Sequence, residues 1–301
     1  MKAGPLDAIT DVPGVLVGHH QRIETGWRTG TTVVLVPDGA VAGVDVRGGG
    51  PGTRETDLLD PSHLVQRVQA VCLSGGSVYG LAAADGVVRW LGERNLGFQV
   101  GVRPHEVVPI VPAAVLYDLP QSEWGNRPDA SFGYEACSVA ADGPVQSGAV
   151  GAGAGATAGS LRGGIGTASV VLDDGTTVAA LLAVNSYGQV VGLDGQPLGA
   201  PQKLNTTIGV IATDAALSKA ECRRLATVGH DGMARALRPA HSMFDGDTLF
   251  ALATGARELV NPVAAAGYPE AGHAYALDQL CDAAAEVVQR SIVAAVRAAN
   301  P

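Results

Sequence analysis

Aromatic residues make up only 4% of this chain of 301 residues, and charged ones only 16%. With so few large rings, the interior cannot be organised around them. The 41 glycines and 47% apolar content point instead to close backbone approach and tight packing of small side chains. Cysteine is scarce as well: Cys72, Cys137, Cys222 and Cys281 stand far apart, with no C-x-x-C pair and no histidine at ligand spacing. Neither a zinc site nor a disulfide framework is signalled, and buried free thiols are the expectation. Basic residues are outnumbered, 20 Lys and Arg against 29 Asp and Glu, for a net charge of -9. Without a basic tract or an aromatic-interleaved patch, a phosphate backbone would be repelled, which excludes the nucleic-acid-binding classes. No apolar run is long enough to span a bilayer, and the opening Met1-Lys-Ala-Gly-Pro-Leu-Asp7 has no apolar segment of the signal-peptide kind. A cytoplasmic globular protein is expected.

The length suffices for a sizeable core, and no charged linker, low-complexity stretch or internal repeat divides it, so residues 1–301 read as a single domain. β-Branched runs at residues 15–18, 31–37 and 41–46, cut by Gly, Pro or Asp, predict strands joined by turns. Residues 61–73 place Leu64, Val65, Val68, Val71 and Cys72 at helical spacing, and residues 78–94 do the same with Leu81, Ala84, Val88 and Leu91, which predicts two helices in succession. Strands are expected again at 107–112, 167–172 and 177–184, the last two joined by a turn at Asp173-Asp174-Gly175. Ser218 and Glu221 form a capping-box pattern opening a helix with Leu225, Val228, Met233 and Leu237. A strand follows near 248–253, and a last helix over 275–299 carries Leu277, Leu280, Ala284, Val288, Ile292 and Val296. Grouped strands and grouped helices imply an α/β architecture of two packed sheets covered by helices, not a regular βαβ alternation.

The polar loop 195–204 ends at Asn205-Thr206-Thr207, where the apolar run Ile208 to Ala212 begins. A Thr at that junction is either an ordinary strand residue or a nucleophile waiting to become an N-terminus. In the second case its freed amine, with a pKa of about 8, serves as its own general base. Asp245-Gly246-Asp247 offers partners. If residues 245–253 are extended, both carboxylates share one face, and two acids so close cannot both ionise cheaply, leaving one able to donate and the other to accept. The plainer reading is an Asp-Gly turn before a strand. Gly75-Gly76, just before a helix, has amides free to bind an anion or oxyanion, or is a packed turn. Gly151-Ala-Gly-Ala-Gly-Ala156, with Asp173 beyond it, has the outline of a dinucleotide loop, but glycines at 159, 163, 164 and 166 disfavour the helix that loop requires. His19-His20 and His241-Ser242 have no partners at informative spacing and read as surface or hydrogen-bonded residues.

Six segments taken together resemble one family. Ile9 to Gly18, Gly75 to Leu81, Val111 to Leu119, Gly148 to Ser169, Asn205 to Ala215 and Asp245 to Asp247 resemble, in order and across nearly the whole chain, the P1 (DmpA-like) family of self-processing peptidases. The Asn-Thr junction with two aspartates is most similar to the nylon-oligomer (6-aminohexanoate oligomer) hydrolase branch; the D-aminopeptidase and β-aminopeptidase branch uses Ser. The resemblance implies an α/β/β/α sandwich like that of N-terminal-nucleophile hydrolases. It also implies cleavage between 205 and 206 into an α chain (1–205) and a β chain (206–301) that stay together, and a homo-oligomer, a tetramer of αβ units. No metal or organic cofactor is implied. By position, Thr206 is the nucleophile, Asp245 and Asp247 are its partners, and Asn185 and Tyr117 line the site. Arg162 stands where the branch is expected to carry Lys, and a planar guanidinium does not replace a point ammonium.

The expected activity is hydrolysis of linear amides, peptides or nylon-type oligomers through an acyl-enzyme. Two rivals follow from the same residues: an acyltransferase of the ornithine acetyltransferase kind, and a non-catalytic protein binding a nucleotide or anion at a Gly loop.

Overall fold

The computed structural model describes residues 1–200, 206–259 and 272–301. Its main sheet has nine strands. These are β1 (Leu16–Glu24), β2 (Trp27–Val46), β3 (Arg67–Ser74), β4 (Ala113–Val115), β5 (Gly164–Val171), β6 (Thr177–Asn185), β7 (Thr206–Ala215) and β8 (Thr248–Arg257), with the two-residue strand Thr53–Arg54. The order is β5-β6-β7-β8-β2-β3-β4 and then Thr53–Arg54, while β1 pairs with β2. Pairing is antiparallel except between β7 and β8 and between β3 and β4. Helices α1 (Ala83–Gly92), α2 (Ala130–Ser138), α3 (Lys219–Ala236) and α4 (Gly272–Ala299) cover the sheet.

The long strand β2 explains how one sheet makes two layers. Its register against β3 slips between Leu35 and Ala40, around Pro37-Asp38-Gly39; it pairs with β1 up to Leu35 and with β8 from Val41. Side chains alternate along a strand. In β2 that alternation sends Val33 and Leu35 into a core with α1 and α2, and Val34, Val36 and Ala42 into a central core. Strands β6, β7 and β8 alternate in the same way: Leu181, Val210 and Phe250 enter the central core, while Leu182, Ile211 and Leu249 enter a third core with α3 and α4. Three apolar layers thus separate helices, strands, strands and helices. This is the expected α/β/β/α sandwich, with its two strand layers joined by hydrogen bonds through β2 instead of forming two independent sheets. Each large side chain buried in these layers stabilises the fold by about 1.5–3 kcal/mol before entropic costs.

Several expectations change. Residues 61–73 are not a helix, because β3 occupies Arg67–Ser74. Val71 and Leu73 face the central core and Ala70 and Cys72 the α1/α2 core, so the strand is apolar on both faces and its run carries no period of two. Residues 31–37 and 41–46 belong to one strand. The helix expected at 78–94 opens as a 3-10 segment, Ser77–Ala82, before α1. Helix α2 was not expected; its marker is Asp129, whose side chain accepts the Ser131 N–H. The capping box at Ser218 and Glu221 forms as read, and Gly175 turns between β5 and β6 with φ +86°. The glycines at 151–156 make one 3-10 turn followed by a short strand at Thr157–Ala158, with no helix for a dinucleotide. All four cysteines are buried and free. Among the described residues, no helix is long and apolar enough to cross a membrane.

Candidate active site

The first two residues of β7 are supported differently on their two edges. Toward β6, Thr206 lies opposite Asn185 and Thr207 opposite Val184. Toward β8, pairing starts only at Ile208, opposite Thr248. Residues 245–247 are not part of β8, contrary to the extended reading, and their irregular backbone fills the vacant edge. The Gly246 N–H donates to Thr206 Oγ1 at 2.9 Å, and the Thr207 N–H donates to Asp247 Oδ1 at 2.8 Å. Thr206, 6% exposed, helps wall a cavity of about 270 Å³ with Gly50, Ser77, Val78, Tyr117 and Phe244 among its neighbours.

The lead-in to β8 is held by a segment that sequence reasoning passed over. The chain leaving β2 runs through Arg47, Gly48, Gly49 and Gly50, whose backbone lies along residues 242–247. Arg47 N–H donates to Asp247 O, Gly49 N–H to Ser242 O and Gly50 N–H to Asp245 O, at 2.9, 3.0 and 2.8 Å. A Cβ on Gly48 would collide with the Asp245 carbonyl and the Asp247 amide, so glycine is required there by close approach.

The two aspartates, each 2% exposed, differ in what they have left to offer. Asp247 has both oxygens engaged: besides the Thr207 amide on Oδ1, its Oδ2 accepts the backbone N–H and the Nδ1–H of His241, each at 2.9 Å. A carboxylate only accepts here, so His241 Nδ1 carries the hydrogen. Asp245 Oδ2 accepts the Ser242 N–H at 2.8 Å, while its buried Oδ1 has no partner among the described residues. Burial pushes the Asp245 carboxyl up, and the Asp247 charge adds to this against the Ser242 hydrogen bonds. One acid therefore braces the backbone, and the other keeps an open oxygen and a raised affinity for a proton.

His241 is the hydrogen-bonded kind of histidine, one of the two readings its sequence allowed. Its ring meets that of His230, from α3, edge-on with centroids 4.7 Å apart. His230 Nε2 donates to the Asp45 carbonyl at 3.1 Å, which fixes its tautomer; burial pushes its pKa down to about 4, so it packs there as a neutral ring. Pattern reading had little to find: His241 and Asp247 are six residues apart in a non-repetitive segment, and His230 lies on another element.

Asn185 ties three segments together. Its Oδ1 accepts the Thr157 N–H at 2.8 Å and its Nδ2 donates to the Tyr117 carbonyl at 3.1 Å, holding Tyr117 at the cavity wall. Gly75 and Gly76 do not supply free amides. The Gly75 N–H donates to Gly30 O at 2.9 Å and the Gly76 N–H to Asp118 Oδ1 at 2.6 Å, so the expected oxyanion role is corrected: the fold consumes both donors. Gly76 instead turns the chain at φ +81° so that Ser77 and Val78 reach the cavity. Arg162 is exposed and absent from the cavity wall; Asn300 grips its backbone, accepting from its N–H at 3.3 Å and donating to its carbonyl at 2.9 Å. Asn205, the other half of the expected cleavage site, lies outside the described residues.

Known proteins resemble this chain in sequence and in fold. The model of peptidase family S58 matches residues 7–301. An uncharacterized aminopeptidase of Mycobacterium tuberculosis is 49% identical, over 98% of this chain and 95% of its own. A 6-aminohexanoate-oligomer endohydrolase of Agromyces is 31% identical over 81% of this chain and 74% of its own. Among solved structures, a Burkholderia β-aminopeptidase superposes with a TM-score of 0.79 at 27% identity, covering 99% of this chain and 88% of that one. An Ochrobactrum anthropi L-aminopeptidase D-Ala-esterase/amidase, described as a variant of the Ntn-hydrolase fold, gives 0.80 at 26% identity, covering 99% and 87%.

Proposed function

This chain belongs to peptidase family S58, and from that premise we propose that it is a self-processing amidohydrolase of the aminopeptidase kind with Thr206 as its nucleophile. Family and relatives support hydrolysis of amide bonds; the assignment of Thr206 rests on one contact above all. The Gly246 amide occupies one lone pair of the Thr206 hydroxyl at the wall of the cavity, orienting that oxygen while leaving its proton available.

In the intact chain the Thr206 hydroxyl attacks the Asn205 carbonyl carbon. The C–O bond forms, the C–N bond to Thr206 breaks, and the nitrogen takes a proton, giving an ester and a free α-amine. Water hydrolyses that ester and releases Thr206 as a new N-terminus. In the mature protein the same oxygen attacks a substrate amide, the α-amine takes the hydroxyl proton and passes it to the leaving amine, and water clears the acyl-enzyme. Asp245, whose Oδ1 has no partner among the described residues, is the group to hold the ammonium or proton; Asp247 positions the 206–207 peptide; Asn185 and Tyr117 shape the wall. Linear amides are the proposed substrates, peptides and 6-aminohexanoate oligomers among them, and the working form is a homo-oligomer of αβ units, a tetramer.

Intact mass and N-terminal sequencing of the purified protein test this. Two fragments are expected, the smaller starting at Thr206, and a single uncleaved, inactive chain is expected for Thr206→Ala. Cleavage and turnover persisting in Thr206→Ala would overturn the assignment.

A further inference from the structure

We infer that His241 is a positioning residue of this site, acting through Asp247 on the backbone of Thr206 and Thr207; the inference rests on the nucleophile assigned above. The contacts form a chain. Thr206 and Thr207 extend past the last β8 ladder pair, so the Asp247 carboxylate replaces a strand on that edge by accepting the Thr207 N–H. That carboxylate can hold the strand end only as well as it is itself held, and among the described residues its other oxygen is held by His241, through two donors.

The backbone of His241 is bent to make this possible. It sits at φ +60°, in the left-handed region, which non-glycine residues adopt only where their surroundings over-determine it. This conformation lets the main-chain N–H and the ring Nδ1–H of one residue converge on one carboxylate oxygen. The edge-on contact with His230, itself anchored to Asp45 on β2, holds the ring from the side of α3. The Nε2 atom of His241 and Nδ1 of His230 are buried and without partners among the described residues, which leaves the His241 ring the one bond its Nδ1 makes there.

Asn and Leu, similar in size to each other, separate donation from bulk. Asn tolerates the left-handed region, and its Nδ2 lies near the position of a histidine Nδ1. Precursor cleavage rate and the kcat and KM of the processed enzyme are measured for wild type, His241→Asn, His241→Leu and His241→Gln. Leu and Gln are expected to lower the cleavage rate and kcat by about tenfold to a hundredfold, as misplacement of a reacting group does, with KM little changed. Asn is expected to recover most of both rates. Wild-type rates in the Leu and Gln variants would overturn the inference, and so would an Asn variant as slow as Leu, since ring packing alone would then be at stake. Failure of the nucleophile assignment is read separately, from the Thr206→Ala chain.

Discussion

Gly246 and Thr206 are fitted to each other at the limit of contact. The Gly246 amide reaches Thr206 Oγ1 at 2.9 Å, and a Cβ on Gly246 would stand 3.1 Å from that oxygen and 3.0 Å from the Gly50 carbonyl. Gly246→Ala therefore shifts either the hydroxyl or the glycine segment behind it. A fall of about tenfold or more in the cleavage rate and kcat is expected, with roughly 1–3 kcal/mol of lost stability. Parallel kinetics and urea titrations check it; unchanged rates would show that the hydroxyl is not held by this contact.

The two aspartates are expected to fail in different ways. Asp247→Asn places an NH2 group against backbone and ring donors, so unfolding free energy falls by about 1.5–3 kcal/mol, the value of a charge-assisted hydrogen bond. Asp245→Asn keeps an acceptor for Ser242 and removes only the titratable oxygen. Its stability stays near wild type while processing and turnover drop by about a hundredfold, the scale of general acid–base catalysis. Denaturant midpoints and single-turnover rates, taken together, separate the two; identical profiles for both variants would refute the division of roles.

Asp118 links stability to pH. It is 2% exposed, and burial raises its carboxyl from 3.8 to about 6 against the opposing donors Thr29 and Gly76. A raised folded-state value means that the folded protein binds the proton more tightly than the unfolded chain. The associated stability, roughly 3 kcal/mol, is fully present below about pH 4 and is lost as the pH rises to about 6. Asp118→Asn removes this dependence, because an amide can accept from Gly76 and donate to the Thr29 hydroxyl. The difference in unfolding free energy between wild type and variant should change between pH 4 and 6 and level off above it. A constant difference across that window would contradict the assignment.

The capping box of α3 is a simpler case. Ser218 Oγ accepts the Glu221 N–H at 3.3 Å, and Glu221 Oε2 accepts the Ser218 N–H at 2.7 Å. Ser218→Ala should cost about 1 kcal/mol, and Ser218→Asp should retain most of the cap. Thermal unfolding of the two variants measures the difference.

Local patterns were legible where one residue's neighbours in sequence are also its neighbours in space. The Ser218 cap, the apolar stripe of α4 and the Gly175 turn are of this kind, because helix and turn hydrogen bonds close within a few residues. The order of motifs around Thr206 was legible as well. The strand at Arg67–Ser74 was not: alternation disappears when both faces are buried, and which faces are buried depends on layers contributed by distant segments.

By itself, then, the sequence determined the helices α1, α3 and α4, most of the strand positions, the α/β class and the family to which the Asn-Thr junction belongs. Tertiary structure decided which polar groups meet. Gly76 lies 42 residues from the Asp118 that takes its amide, and Arg162 lies 138 residues from the Asn300 that holds its backbone. His241, unremarkable in its own segment, acquires a position only because α3 brings His230 against it and the end of β7 needs Asp247. Such pairings follow from sheet register and layer packing, which bring together residues that no local period relates.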